Sequence, residues 1–129
     1  MTTKPKYRRW FLQILQSDTE ARLSNGQWLT SCLHCRTALA LHANGNAIGD
    51  VSVEHVIPSA WFGKRAARAL CAQVAHANDP RNLALACRRC NLAKGTGPDA
   101  RGPADPRAYE IVCQLFERRA ARYRGAEAS

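Results

Sequence analysis

Val53-Glu54-His55-Val56-Ile57-Pro58 is the stretch on which the fold of this chain turns. Residues 51–56 alternate, with β-branched valines on one side of the pattern, and predict a strand that ends at Ile57-Pro58. Neighbours on a strand face opposite sides, so Glu54 and His55 can share one site only where the strand ends and the backbone bends. Pro58 supplies such a bend close by. A cysteine pair stands on either side: Cys32-Leu33-His34-Cys35 before, and Cys87-Arg88-Arg89-Cys90 after, with Asn91 following directly.

The two-residue gap in each pair lets both sulfurs reach one ion from a tight turn. Cys32, Cys35, Cys87 and Cys90 thus predict a tetrahedral four-cysteine site, the geometry of structural Zn²⁺. Thiolates would fill every position of that ion, so it would staple rather than catalyse. Residues 36–86 lie between the pairs, 51 in all, too many for a compact zinc ribbon. That interval must hold substructure of its own. Cys71 and Cys113 lack paired spacing and read as small core residues, and His34 reads as exposed rather than coordinating. His42 and His76 read as structural or surface residues.

The chain has 129 residues, 46% hydrophobic but only 7% aromatic, which suits one domain (1–129) with a thin core that a metal would reinforce. Its formal charge is +9, which favours an anionic partner, nucleic acid first. Residues 1–16 carry Lys4, Lys6, Arg8 and Arg9 and no acid. Residues 54–101 carry eight basic side chains against Glu54, Asp79 and Asp99. No apolar run approaches the roughly 20 residues that span a bilayer, so no membrane partner and a cytoplasmic location are expected. In a reducing compartment, the six cysteines read as ligands and free thiols rather than disulfides.

Tyr7, Trp10, Phe11, Ile14 and Leu15 recur at helical spacing and predict a helix over 5–16, with Arg8 and Arg9 towards solvent. Ser17-Asp18-Thr19-Glu20 resembles a capping box that would start a second short helix through Leu23, so the N-terminal helices span 5–24. Asn25-Gly26 is a turn, Trp28-Leu29-Thr30 a short strand, and residues 37–42 another. Asn44-Gly45-Asn46 and Gly49-Asp50 are further turns. Residues 59–78 read as an insertion with an Ala-rich helix over 66–76. Leu83-Ala84-Leu85-Ala86 is a strand delivering the second cysteine pair, and a helix over Asn91–Lys94 is stopped by Gly95. Residues 95–104 form a linker, and Asp105-Pro106 opens a C-terminal helix over 105–124 whose apolar face carries Tyr109, Val112, Leu115, Phe116 and Tyr123.

An imidazole at a strand end can take a proton from water. A carboxylate beside it can hold a hard divalent cation, and an amide such as Asn91 can add a neutral oxygen. Together, His55, Glu54 and Asn91 offer a base and a Lewis acid, the parts needed to cleave a phosphodiester.

Glu54-His55-Val56-Ile57-Pro58, then Asn82-Leu83, then Cys87-Arg88-Arg89-Cys90-Asn91 with Lys94-Gly95, resembles the HNH endonucleases that carry a four-cysteine zinc site. The resemblance covers about residues 28–95. It implies an α+β fold with a ββα-metal (His-Me finger) core, flanked by N- and C-terminal helices and the helical insertion. It implies His55 as general base, Glu54 and Asn91 as ligands of a catalytic Mg²⁺ or Mn²⁺, Asn82 as the residue fixing the loop that carries the base, and Lys94 beside the phosphate. DNA comes ahead of RNA as substrate, and no organic cofactor is implied. Two departures stand out: Glu54 occupies a position where many members have Asp, and the insertion at 59–78 separates the base from Asn82. Arg88 and Arg89 are expected to bind backbone phosphate. Lys64, Arg65 and Arg68 either do the same or form a solvated helix face. The alternative reading is a zinc-stabilised nucleic-acid-binding module without cleavage, and a third is a zinc module for protein interaction.

Overall fold

The computed structural model describes residues 3–125. Pro5, with its φ already fixed, opens helix α1 (Pro5–Ser17). Phe11, Ile14 and Leu15 are the apolar residues it buries, while Tyr7 stays 43% exposed. Asn25 and Gly26, at φ 52° and 77°, make the left-handed two-residue turn that suits strand twist, joining β1 (Arg22–Ser24) to β2 (Gln27–Ser31). With β3 (Ala38–His42) and β4 (Ala47–Ile48), these form an antiparallel sheet in the order β1-β2-β3-β4. Trp28 stands opposite Leu41 in its register. Gly45, at φ 92°, comes so close to α1 that a Cβ there would lie 2.9 Å from the Arg8 carbonyl oxygen. Phe11, Ile14 and Leu15 pack with Leu39, Leu41, Leu83 and Leu85 into one of two apolar clusters.

Gly49, at φ 81°, turns the chain out of this sheet. Strand β5 (Val51–His55) pairs instead with β6 (Leu83–Cys87), antiparallel, Val51 opposite Cys87 and His55 opposite Leu83. Between them lie two single 3-10 turns, Ser59–Trp61 and Arg65–Ala67, the short helix α2 (Arg68–Cys71), and a third turn, Pro80–Asn82. Helix α3 (Arg88–Thr96) starts where β6 ends, so β5, β6 and α3 form one strand–strand–helix unit. Helices α4 (Pro98–Arg101) and α5 (Pro106–Ala121) follow, α5 capped by the Asp105 side chain accepting from the Ala108 N–H. Val112, Leu115 and Phe116 of α5 join Val56, Ile57, Trp61 and Leu70 in the second cluster. The architecture is α+β. Among the described residues, no helix is long and apolar enough to cross a membrane.

The structure corrects several expectations. There is no helix over 17–23. Asp18 Oδ1 does accept from the Glu20 N–H, but it closes a turn rather than caps a helix, because Oδ2 is drawn to Thr30 and Arg122. Residues 22–24 are then free to pair as β1. The expected helix over 66–76 shrinks to α2, because side chains claim the backbone that would continue it. Asp79 Oδ2 accepts from the Ala75 N–H, and Asn82 Nδ2 donates to the Ala77 carbonyl. Gly95 does not stop α3, which runs one residue further; the Gly97 N–H closes it on Ala93 and Lys94. Part of the expected linker 95–104 is helical as α4, and the last helix covers 106–121 rather than 105–124.

Two buried arginines tie the end of α5 to the rest of the described residues. Arg119 donates to the Leu83 carbonyl and to Ser17 Oγ, both at 2.7 Å, and burial pulls its pKa down to about 10. Arg122 grips Asp18 at 2.8 Å. Burial alone would raise the Asp18 carboxyl. The hydrogen bonds from Arg122 and Thr30 outweigh it and hold the group below its ordinary range. A carboxyl depressed in the folded state contributes its full stabilisation above the unfolded value, about 3.9, and loses it as pH falls through the folded value. The urea midpoint should therefore fall as pH drops below about 4, less so in Asp18→Asn. At pH 7 that variant should lose about 3 kcal/mol, since it strands a buried guanidinium.

Candidate functional site

The cysteine pairs converge. The sulfurs of Cys32, Cys35, Cys87 and Cys90 all lie within 4.8 Å of one another, and those of Cys35 and Cys87 are 3.9 Å apart. A tetrahedron of about 2.3 Å Zn–S bonds has edges of about 3.8 Å, so the cluster could hold a structural metal ion such as zinc. The first pair sits on a turn closed by the Arg36 N–H to the Cys32 carbonyl, with Arg36 at φ 69°. The second pair straddles the start of α3, whose unpaired N–H groups favour negative charge. Cys32 Sγ accepts backbone N–H bonds from His34 at 3.4 Å and Cys87 at 3.3 Å, partners suited to a thiolate. A hydrogen bond from the Thr37 backbone lowers the Cys35 thiol to about 7. Burial, then the neighbouring sulfurs, pushes Cys90 up to about 12. Four thiolates this close repel one another, and a divalent cation among them removes that cost. Cys71 and Cys113 lie outside the cluster and pack against the second apolar core.

An open cleft of about 510 Å³ lies at the end of β5, lined by His55, Pro58, Asn91 and Asp99 among others. Three devices set it. Trp61, fully buried, stacks on Tyr109 and donates its indole N–H to the Asp99 carbonyl, which pins the far wall. Asn82, also fully buried, clamps the chain just after the histidine: Oδ1 accepts from the Ile57 N–H at 2.7 Å and Nδ2 donates to the Ile57 carbonyl at 3.0 Å. His55 itself is half-buried, its Nε2 2.7 Å from Asn78 Oδ1 and its ring edge-on to Trp10.

Asn91 and Lys94, one turn apart on α3, both reach down to β5. Asn91 Nδ2 donates to Ser52 Oγ and to the Val53 carbonyl, which leaves its Oδ1 free among the described residues. Lys94 Nζ donates to the His55 carbonyl at 3.0 Å, pairs with Asp99 at 2.9 Å, and stands 3.8 Å from Glu54 Oε2. Burial pushes the Asp99 carboxyl up, against the pull of Lys94. Ser52 and Glu54 share the side of β5 that α3 covers; His55 takes the other.

The structure thus brings His55 and Asn91 to one cleft but leaves Glu54 outside its lining. Glu54 is 1% exposed, its Oε1 held by the His34 imidazole, its Oε2 without a hydrogen-bond partner. Two expectations fall with this. His34 is not a bystander between cysteines but half-buried against Glu54. Lys94, expected beside a phosphate, is 4% exposed and spends its ammonium inside the protein. Arg88, Arg89, Lys64, Arg65 and Arg68 are all exposed, as phosphate contacts require. His34, Asn78 and Asp99 were missed because none stands at a ligand spacing from its partner. The one signal available was that Asn78 lies in the turn before β6 and Asp99 in the short helix just after α3, next to the strand and helix of the site. No family model, no curated protein and no solved structure matches this chain.

Proposed function

We propose that the protein hydrolyses phosphodiester bonds in nucleic acid, DNA ahead of RNA, in the manner of the HNH endonucleases it resembles. The observation carrying this reading is the cleft in which His55 and Asn91 meet, with Asn82 clamping the backbone just beyond the histidine. The clamp serves folding in either reading; what a module that only binds has no need of is an imidazole and a spare carboxamide oxygen in one cleft.

His55 is the base. With Asn78 Oδ1 as acceptor, Nε2 carries the ring proton, and Nδ1 is left to take one from water. The Trp10 edge fixes the ring plane. Exposed Arg88 and Arg89 at the start of α3 are placed to bind backbone phosphates without reading sequence. The four-cysteine cluster holds zinc as a staple, tying the turn before β5 to the start of α3. Asn91 Oδ1 is spare at the cleft, and Glu54 Oε2 is buried without a hydrogen-bond partner; Glu54 lies outside the cleft lining and would have to give up part of its pairing with His34 and Lys94 to hold a catalytic divalent ion. Such an ion, bound by Glu54 and Asn91 and otherwise hydrated, would supply charge stabilisation to the scissile phosphate.

Wild-type protein should nick supercoiled plasmid when Mg²⁺ or Mn²⁺ is added. Glu54→Gln, which keeps the volume and removes the charge, should weaken Mn²⁺ binding by calorimetry at least tenfold and slow nicking in step. The second reading, a zinc-stabilised binding module without cleavage, draws on the hold that His34 and Lys94 already have on Glu54. DNA binding with neither nicking nor Mn²⁺ uptake would establish it in place of the first.

A further inference from the structure

Helix α1 carries a feature that hydrolysis at His55 does not use. Its first three turns hold Lys4 at the cap, Lys6, Arg8 and Arg9, with no acidic residue up to Ser17. Among these cations, Tyr7 is exposed. Tyr7 meets Trp10 edge-to-face, centroids 6.2 Å apart, and Trp10 in turn meets His55 edge-on at 5.9 Å. Lys6 Nζ stands 5.2 Å over the indole of Trp10. An aromatic path therefore runs from the exposed start of α1 to the histidine of the cleft. Beside it, a groove of about 490 Å³ is lined by Lys4, Tyr7, Phe11, Val51 and Val53. Val53 also lines the cleft, so the groove and the cleft adjoin along β5.

We propose that this groove takes a single nucleic-acid strand, an unpaired base stacking on Tyr7 while Lys4 and Lys6 neutralise its phosphates. The proposal rests on the phosphodiesterase reading only in making the groove an approach to His55. Charge decides the class of partner: four cations with no acid between them suit a polyanion. The exposed ring decides the form. In a duplex each base face is covered by its neighbours, whereas a single strand offers its faces to an aromatic side chain. Tyr7 is held by Trp10 rather than free to wander, so little order is lost when a base stacks on it.

The test is fluorescence anisotropy in 50 mM salt with no added divalent ion, using a labelled 12-nucleotide oligothymidylate and a 12-base-pair duplex. The single strand should bind more tightly than the duplex and quench tryptophan fluorescence. Tyr7→Ala should weaken single-strand binding about tenfold at an unchanged melting temperature, and Tyr7→Phe should restore it. Equal binding of strand and duplex, or Tyr7→Ala protein that binds the strand like wild type, overturns the proposal. The two readings separate cleanly. Tyr7-dependent strand binding, with neither plasmid nicked nor the labelled strand cut when Mn²⁺ is added, refutes hydrolysis and leaves the groove assignment standing. Nicking together with Tyr7-independent binding does the reverse.

Discussion

Cys87→Ser protein should contain no zinc and should lack a cooperative thermal transition. Wild-type protein should carry one zinc ion per chain, removable by a strong chelator with loss of the same transition. The expectation follows from what the cluster connects. Cys32 and Cys35 sit on the turn between β2 and β3, and Cys87 and Cys90 on the junction of β6 and α3. Backbone bonds across that junction are sparse: Leu33 N–H to the Leu85 carbonyl, and Cys87 N–H to Cys32 Sγ. Remove the ion, and four close thiols, one of them the buried Cys32, add nothing to the apolar cluster that then holds the two sheets together with those bonds alone. Structural zinc contributes about 10–16 kcal/mol in small zinc modules, against a net stability of about 5–15 kcal/mol for a domain. Even a fraction of the first figure exceeds what a chain with this few aromatics can spare. Cys71→Ser and Cys113→Ser should keep full zinc content, since neither sulfur belongs to the cluster. Atomic absorption on the purified proteins, with circular dichroism on heating, reads both. A Cys87→Ser chain that melts like wild type would show that the staple is dispensable.

The parts of the fold legible in the sequence are those set by local chemistry. Asn25-Gly26 can hardly be anything but a left-handed turn, and Asp105-Pro106 carries its own helix start. The two Cys-x-x-Cys pairs announce their meeting because a shared ion is the only common reason for both spacings. What escaped is what depends on partners far along the chain. Asp18 looks like a helix cap because its bond to the Glu20 N–H is the same in a turn; only Arg122, 104 residues on, decides between them. The Ala-rich stretch 66–76 has the composition of a helix, but Asp79 captures its backbone at Ala75, and Asn82 takes the Ala77 carbonyl just beyond it. His34 and Glu54 are 20 residues apart with no periodic relation, so their contact could not be read from spacing. Lys94 fails as a phosphate ligand for a similar reason. A lysine at a helix surface position ordinarily reaches water, and this one is drawn inward by the His55 carbonyl and Asp99.

His55→Ala should abolish plasmid nicking, a fall of at least a hundredfold, while leaving zinc content and melting temperature close to wild type. General base catalysis by a placed imidazole contributes about 10²–10⁴ in rate. Its structural share is small: one half-exposed bond to Asn78 and an edge contact with Trp10, together worth about 1 kcal/mol. Asn82→Ala separates the alternatives from the other side. That carboxamide serves Ile57 N–H, Ile57 C=O and Ala77 C=O from a fully buried position. Its loss strands three backbone groups and should cost about 2–5 kcal/mol of stability. Nicking should fall with it, since the peptide after His55 is no longer held. The pair of outcomes is diagnostic: an inactive His55→Ala protein of normal stability, beside an Asn82→Ala protein that is both unstable and slow. If His55→Ala cuts as fast as wild type, the base lies elsewhere and the cleft is only a binding surface. If it loses stability as Asn82→Ala does, the imidazole is a prop for the strand end rather than an acceptor of the water proton.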